Sequence, residues 1–327
     1  MPKEIRAGLD VYRQRPARPS WKIPAFCCND WGALRLLQIC REYGWDRPFD
    51  IVYGSPYCAW AGGRPSAVTA ILDERQIDSY FAAYAEYGVR CALTLSRLEV
   101  PEDSYDDRYC NILLDHIERY DGQAILFDDG LALFLRQQRP SINLVASLNK
   151  AMSDLKDTFA EEEAYYRKHL EVYSEVVIRC ETALDPERLA RLIDIHDRVE
   201  VITNQFCVPE CKNVYRHVKA LQDWNDEGCR GPGQPCFSLN VAANIDQRLS
   251  RNLFISDTRI NELCTQGFTR LKLAGRNSPL PGFLDMLANY IFEPTGVILH
   301  IKSALLREYR QTAMATGGRL AQYSLPW

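Results

Sequence analysis

Histidine and methionine are scarce in this 327-residue chain, with five and four copies. No apolar run approaches the ~20 residues that a membrane-spanning helix needs, so no membrane is expected as a partner. The opening stretch MPKEIRAGLD lacks the apolar segment of a secretory leader. Nor does charge of one sign prevail: 39 basic residues face 43 acidic ones, for a formal charge of −4. That balance lacks the basic footprint of a nucleic-acid binder. Several catalytic signatures are also missing. There is no G-x-x-x-x-G-K-[ST] phosphate loop, no G-x-G-x-x-G after a strand, no H-E-x-x-H helix and no G-x-S-x-G elbow. The C-x3-C-x2-C triad of radical S-adenosylmethionine enzymes is absent, since the cysteine after Cys211 is Cys229. No serine or cysteine hydrolase nucleophile is recognisable.

The composition is otherwise that of an ordinary globular protein, 46% apolar and 25% charged. It includes twelve cysteines. Without a leader, these read as reduced thiols of a cytoplasmic chain, with metal or redox chemistry ahead of disulfides.

Short β-forming runs alternate with segments of helical period. The runs are Ile23–Cys28, Phe49–Tyr53, Arg90–Leu95, Ala124–Phe127, Ile142–Ala146, Glu175–Ile178, Glu200–Thr203 and Thr269–Leu273. Helical segments are expected at Gly32–Tyr43, Ser66–Tyr87, Ser104–Arg119, Leu131–Gln138, Phe159–Tyr173, Pro186–Val199 and Phe283–Ile291. Eight parallel βαβ units predict a closed (β/α)8 barrel, because closure removes both edge strands. An open doubly wound sheet is the alternative. Residues 1–20 read as an N-terminal arm, 21–300 as the barrel, and 301–327 as a C-terminal helix and tail.

In such a barrel the chemistry gathers at the C-terminal strand ends. Those ends carry Cys27, Cys28, Tyr53, Arg97, Asp128, Asp129, Glu181, Asn204 and Arg276. Asp128, Asp129 and Glu181 are the nearest acids and candidate general bases, although a helix N-cap role also accounts for Asp129. Arg276 follows Gly275 and offers a fixed fork of donors for a substrate carboxylate or an ion pair. Lys272 alternates with Leu271 and Leu273, which aims it into the barrel toward a buried carboxylate or places it beside the site. Asn204 is a candidate ligand to substrate or cluster, or a strand-end cap. Loop 57–64, with Trp60, Gly62, Gly63 and Arg64, is a candidate lid or substrate wall over the second strand.

Four cysteines crowd together after the seventh strand: Cys207, Cys211, Cys229 and Cys236, in the pattern C-x3-C, seventeen residues, C-x6-C. Four thiolates suit a 4Fe-4S cluster or a structural zinc, and the wide second pair favours iron–sulfur. Four unrelated thiols is the remaining reading. Cys40, Cys91, Cys110 and Cys264 fit small core residues. Cys27, Cys28, Cys58 or Cys180 could replace a ligand. Arg216 and His217 follow closely enough to act near a cluster. His116, His169 and His196 fall on helices, and His300 lies in an apolar run.

The stretch Asn204-x2-Cys207-x3-Cys211 with Arg216-His217, and the segment from Gly267 to Gly275-Arg276, resemble two motifs of peptidase family U32. The resemblance runs from about Pro24 to Pro294 and is specific only in these motifs. It implies a (β/α)8 barrel with a 4Fe-4S cluster on four cysteines. It also implies oxygen-independent hydroxylation with prephenate as oxygen donor, as in relatives acting in ubiquinone biosynthesis and on RNA bases. The four-cysteine assignment rests on this chain's own spacing, which departs from the familiar order. The acidic balance favours a small molecule or peptide as substrate over RNA. A metal-stabilised partner subunit and a true protease are the alternatives, and a protein partner or homo-oligomer is open.

Overall fold

Runs of valine, isoleucine and leucine form short strands because β-branched and apolar side chains fit a pleated, buried surface. The computed structural model describes residues 19–42, 44, 46–62, 72–155, 159–205, 211–227, 254–276, 278–291, 302–303 and 305–311. The strands are β1 (Ser20–Ile23), β2 (Ile51–Gly54), β3 (Arg90–Leu95), β4 (Gln123–Leu126), β5 (Asn143–Ala146), β6 (Glu175–Ile178), β7 (Val199–Ile202) and β8 (Arg270–Lys272). Each pairs in parallel with the next, and β8 returns to β1, with Trp21 opposite Leu271 and Lys22 opposite Lys272. The result is a closed eight-stranded barrel with helices between strands, a (β/α)8 fold.

The helices are α1 (Asp30–Glu42), α2 (Glu74–Ala85), α3 (Arg108–Arg119), α4 (Asp129–Gln138), α5 (Leu148–Asp154) and α6 (Phe159–His169). They continue with α7 (Cys180–Leu184), α8 (Pro186–Ala190), α9 (Val214–Asp226), α10 (Asp257–Thr265) and α11 (Leu280–Tyr290). Their local logic is plain. In α3, Cys110, Leu113, Leu114 and Ile117 recur at helical spacing and are all buried, and the Asp107 side chain accepts from the Cys110 amide at its start. A reciprocal Asp73–Gln76 capping box starts α2. One apolar layer fills the space between barrel and helices. It holds Cys40, Cys91, Cys110 and Cys264 as expected of core thiols.

The first strand departs from expectation. Only Ile23 of the expected run is in β1, and residues 26–29 form a turn with Cys27 in the left-handed region at φ 57°. Pro24 cannot donate a ladder hydrogen bond, so the pairing stops before it. The expected long helix at Pro186–Val199 is broken into α8 and a 3-10 turn at Ile193–Arg198. The expected second helix starts later than Ser66, at Glu74, behind the Asp73 cap. Helices α5, α7, α9 and α10 fall outside the expected segments. Residues 305–311 are helical, and Tyr309 stacks edge-on against Trp31 of α1. The expected arm through residue 18 and the tail from 312 lie outside the described residues. No described helix is long and apolar enough to cross a membrane.

Candidate active site at the barrel mouth

The inside of the barrel is divided. Ile51, Tyr53, Ala92, Ile125, Val145 and Val177, from β2 to β6, form an apolar cluster. The β7, β8 and β1 side is charged instead. Glu200 accepts ion pairs from both Lys22 and Lys272, the latter at 3.2 Å, and all three side chains are buried. Burial alone would raise the Glu200 carboxyl, but the two ammonium groups outweigh it and hold it below the usual range. Lys272 moves the other way. Burial, helped by the charges of Lys22 and Arg276 and opposed by Glu200, pushes it down to about 8.

Tyr53 joins this group to the mouth. Its hydroxyl donates to the Leu273 carbonyl at 2.7 Å. The Lys272 Nζ stands 4.4 Å from its ring centre, and the Arg276 guanidinium 6.0 Å. Arg276 Nη1 donates to Thr94 Oγ1 on β3 at 2.6 Å. Gly275, at φ 127°, provides the left-handed backbone that leads into Arg276. Lys272 and Arg276 are therefore brought together, on one tyrosine ring. Tyr53 was noted from the sequence only as a strand end, and Lys22, Thr94 and Glu200 were not singled out. A lysine and a glutamate inside the otherwise apolar Trp-Lys-Ile and Val-Glu-Val runs were the available signal.

The other expected residues have structural roles here. Asp128 is the N-cap of α4. Its Oδ1 accepts from the Leu131 amide at 2.7 Å and Oδ2 from the Val100 amide at 3.2 Å. The carboxylate thus accepts from two backbone donors, as a cap does. The cap is Asp128 and not Asp129. Asp129 instead pairs with Lys150 at 2.8 Å and accepts from Tyr173 at 2.8 Å. Burial works against its charge, but His169, Lys150 and Tyr173 outweigh it and hold its carboxyl low.

Asn204 bonds both ways to Ala274, accepting from its amide at 2.6 Å and donating to its carbonyl at 3.1 Å. It ties the end of β7 to the end of β8, as a strand-end residue does. Glu181 stands in the first turn of α7, where its charge acts on Arg179. The carboxylate that organises this end of β6 is Glu162, which the sequence reading missed. It receives Arg179 and Arg188, together with the hydroxyls of Thr182 and Tyr166.

Loop 57–62 is a fixed wall. Trp60 is buried, its indole N–H donates to the Ser104 carbonyl at 2.9 Å, and its own carbonyl accepts from Arg97. A Cβ at Gly62 would sit 2.1 Å from the Ser96 carbonyl oxygen, so only glycine lets the loop lie on the end of β3. These contacts fit the wall alternative better than a lid for the described part of the loop; Gly63 and Arg64 lie outside it.

Helix α9 has an unusual position. It follows β7 in sequence but packs on the opposite rim, where Val214 and Val218 join Leu98, Phe127 and Met152, with Cys211 against the same patch. Arg97 holds Asp226 through two hydrogen bonds of 3.1 and 2.8 Å, and Gln222 accepts from the Leu98 amide at 3.1 Å. Helix α10 takes the outer-layer place between β7 and β8, its Ile260 and Leu263 buried in the common core.

Cys211 is half-buried. Cys207, Cys229 and Cys236 lie outside the described residues, as does His300. Cys27, Cys58 and Cys91 are buried near one another, whereas Cys28 stands close enough to Arg276 to feel its charge. Among the described residues no three histidine, cysteine or acidic side chains are placed to hold a metal. Burial pushes the Cys27, Cys28, Cys91 and Cys180 thiols up.

No family profile and no curated protein matches the chain. Among solved structures, a U32 peptidase resembles it with a TM-score of 0.49 and 12% identity, covering 80% of this chain and 94% of the other. The fold assignment rests on the strand order of this chain itself.

Proposed function

We propose that the chain is an iron–sulfur enzyme whose substrate occupies the barrel mouth. The observation that carries this reading is the position of α9. Cys211 immediately precedes that helix, and the helix lies on the rim of the C-terminal face instead of in the outer ring. Cys211, the one described cysteine of the motif after β7, thereby lies by the face where (β/α)8 enzymes work. Thiolate donors suit iron and sulfide. Cys207, Cys211, Cys229 and Cys236 would hold a 4Fe-4S cluster, and zinc is the alternative occupant. When bound, the cluster would supply redox or Lewis-acid chemistry beside the mouth.

The chain's own residues favour an anionic substrate. Lys22 and Lys272 share one carboxylate, Glu200, and Arg276 adds a third cation by the Tyr53 ring. A carboxylate entering the mouth meets positive potential in a region of low dielectric, where charge counts for more than in water. Tyr53 offers a flat apolar wall for the rest of the molecule. A small molecule or peptide bearing a carboxylate fits these features better than RNA. The finer reading, taken from the sequence resemblance to family U32, is hydroxylation without dioxygen and with prephenate as oxygen donor. The lack of a recognisable hydrolase nucleophile in the sequence weighs against peptide hydrolysis.

The test is the iron, sulfide and zinc content of anaerobically purified protein, with its visible spectrum. About four irons and four sulfides per chain, falling in Cys→Ala variants at each of the four positions, would support the reading. One zinc and a colourless protein would contradict it. Equal loading in the Cys229→Ala or Cys236→Ala variant would overturn the ligand assignment.

A further inference from the structure

We propose that Lys272 is an imine-forming lysine, whose amine adds to the carbonyl carbon of a small aldehyde or 2-oxo acid entering through the mouth. This goes beyond the cluster reading and needs no metal.

The argument begins with position. Lys272 is the last residue of β8, and its Nζ projects into the barrel, 3.2 Å from Glu200 and 4.4 Å from the Tyr53 ring centre. Beyond it Leu273 packs in the outer core layer and Ala274 and Gly275 are small, so the side chains nearest the amine on the mouth side are Tyr53 and Arg276. Both lysines are buried, Lys272 at 6% exposure and Lys22 deeper at 2%.

The surroundings favour an amine that gives up its proton. A lysine becomes nucleophilic at moderate pH when it is desolvated or set beside another cation, and here both apply. The groups facing it are Lys22 from β1, Tyr53 from β2, Glu200 from β7 and Arg276 after β8, with Thr94 of β3 behind the arginine. Its proton is held only to about pH 8. Glu200 stays ionised between the two lysines, so it orients the amine and supplies no proton. The division of labour is then clear. Lys22 holds the carboxylate from below, Lys272 reacts, and the positive charge of Arg276 draws a carboxylate next to the carbonyl.

The step balances without an outside oxidant or reductant. Neutral Nζ forms a bond to the carbonyl carbon, and the carbonyl oxygen leaves as water, carrying both hydrogens of the amine. The product is a neutral imine. It becomes cationic if it takes a proton from solvent.

The experiment uses full-length protein, both loaded with metal and metal-free. Each sample is incubated with glyoxylate or glycolaldehyde and sodium cyanoborohydride, and the reduced adducts are mapped by peptide mass spectrometry. Lys272 is expected to carry several-fold more adduct than exposed Lys219, with labelling that climbs through about pH 8. Arg276→Gln is expected to lower labelling by glyoxylate more than labelling by glycolaldehyde. Lys272→Arg, checked for native circular dichroism, should lose the preferred adduct alone. Labelling of Lys272 no greater than that of Lys219, in both samples, would overturn the proposal. Selective labelling of a protein that binds no iron would support it while contradicting the cluster reading.

Discussion

At the residue scale, Glu200 is the charge on which the barrel interior depends. Replacing it with glutamine would leave Lys22 and Lys272 buried without their counter-charge. Breaking such a buried pair typically costs about 3–5 kcal/mol, so Glu200→Gln should lose about that much in urea unfolding. A loss under about 1 kcal/mol, the range of exposed ion pairs, would mean that the lysines are not held as described.

Asp30 gives a second residue-scale prediction. It is buried beside the Tyr84 hydroxyl at 2.8 Å, and burial raises its carboxyl to about 7 despite that bond. The folded chain therefore keeps a proton that the unfolded chain gives up near pH 4. The folded state binds more protons between these values, so this group's stabilisation is full below pH 4 and is lost as pH rises to about 7. Between pH 5 and pH 8, wild type should lose about 2–3 kcal/mol more than Asp30→Asn, since each unit is worth about 1.4 kcal/mol. Parallel losses in urea titrations at the two pH values would contradict this.

At the scale of elements, Asp128 and α9 separate what the sequence reveals from what it conceals. Asp128→Ala removes an N-cap and should cost about 1 kcal/mol of stability, with activity falling only as far as α4 frays. A loss of activity by orders of magnitude at unchanged melting temperature would restore Asp128 as a base. Val218→Asp should release α9 from Leu98 and Phe127. Faster amide exchange would then be confined to α9 while the strands stay protected, and uniform loosening would contradict a separate cap.

The strands were legible because period and β-propensity are local signals. β3 and β6 fall on their expected residues, Arg90–Leu95 and Glu175–Ile178. Lys272 was legible as an inward residue through strand alternation, and Arg276 through its place after Gly275. The partner of Lys272 was not, because Glu200 is 72 positions away and only barrel closure brings β7 and β8 together. The pairing of Asn204 with Ala274 was hidden for the same reason. The place of α9 was hidden because an amphipathic helix reads alike on a rim or in an outer ring; only the contacts of Val214 and Val218 tell the two apart.

At the scale of the whole molecule, the barrel sets an apolar half against a charged half and opens both toward one face. The apolar wall from β2 to β6 supports Tyr53. The charged wall of β7, β8 and β1 places Lys272 beneath it and Arg276 beside it. Clefts among the described residues open elsewhere. One of about 310 Å³, lined by Ser20, Arg47, Asp50 and Arg90, lies at the N-terminal strand ends. Another of about 770 Å³ runs past Asp78 and His116 on α2 and α3. Conserving the fold is the usual role of the N-terminal face of such a barrel, and chemistry belongs to the opposite one.

The central claim is that the cysteine motif and the cationic mouth form one site. The most direct measurement is the electron paramagnetic resonance spectrum of the reduced protein during titration with prephenate, in wild type and in Arg276→Gln. The account predicts an iron–sulfur signal that shifts on addition of the carboxylate in wild type and stays unchanged in the variant. A signal indifferent to the ligand in both proteins, or no iron–sulfur signal at all, would contradict it.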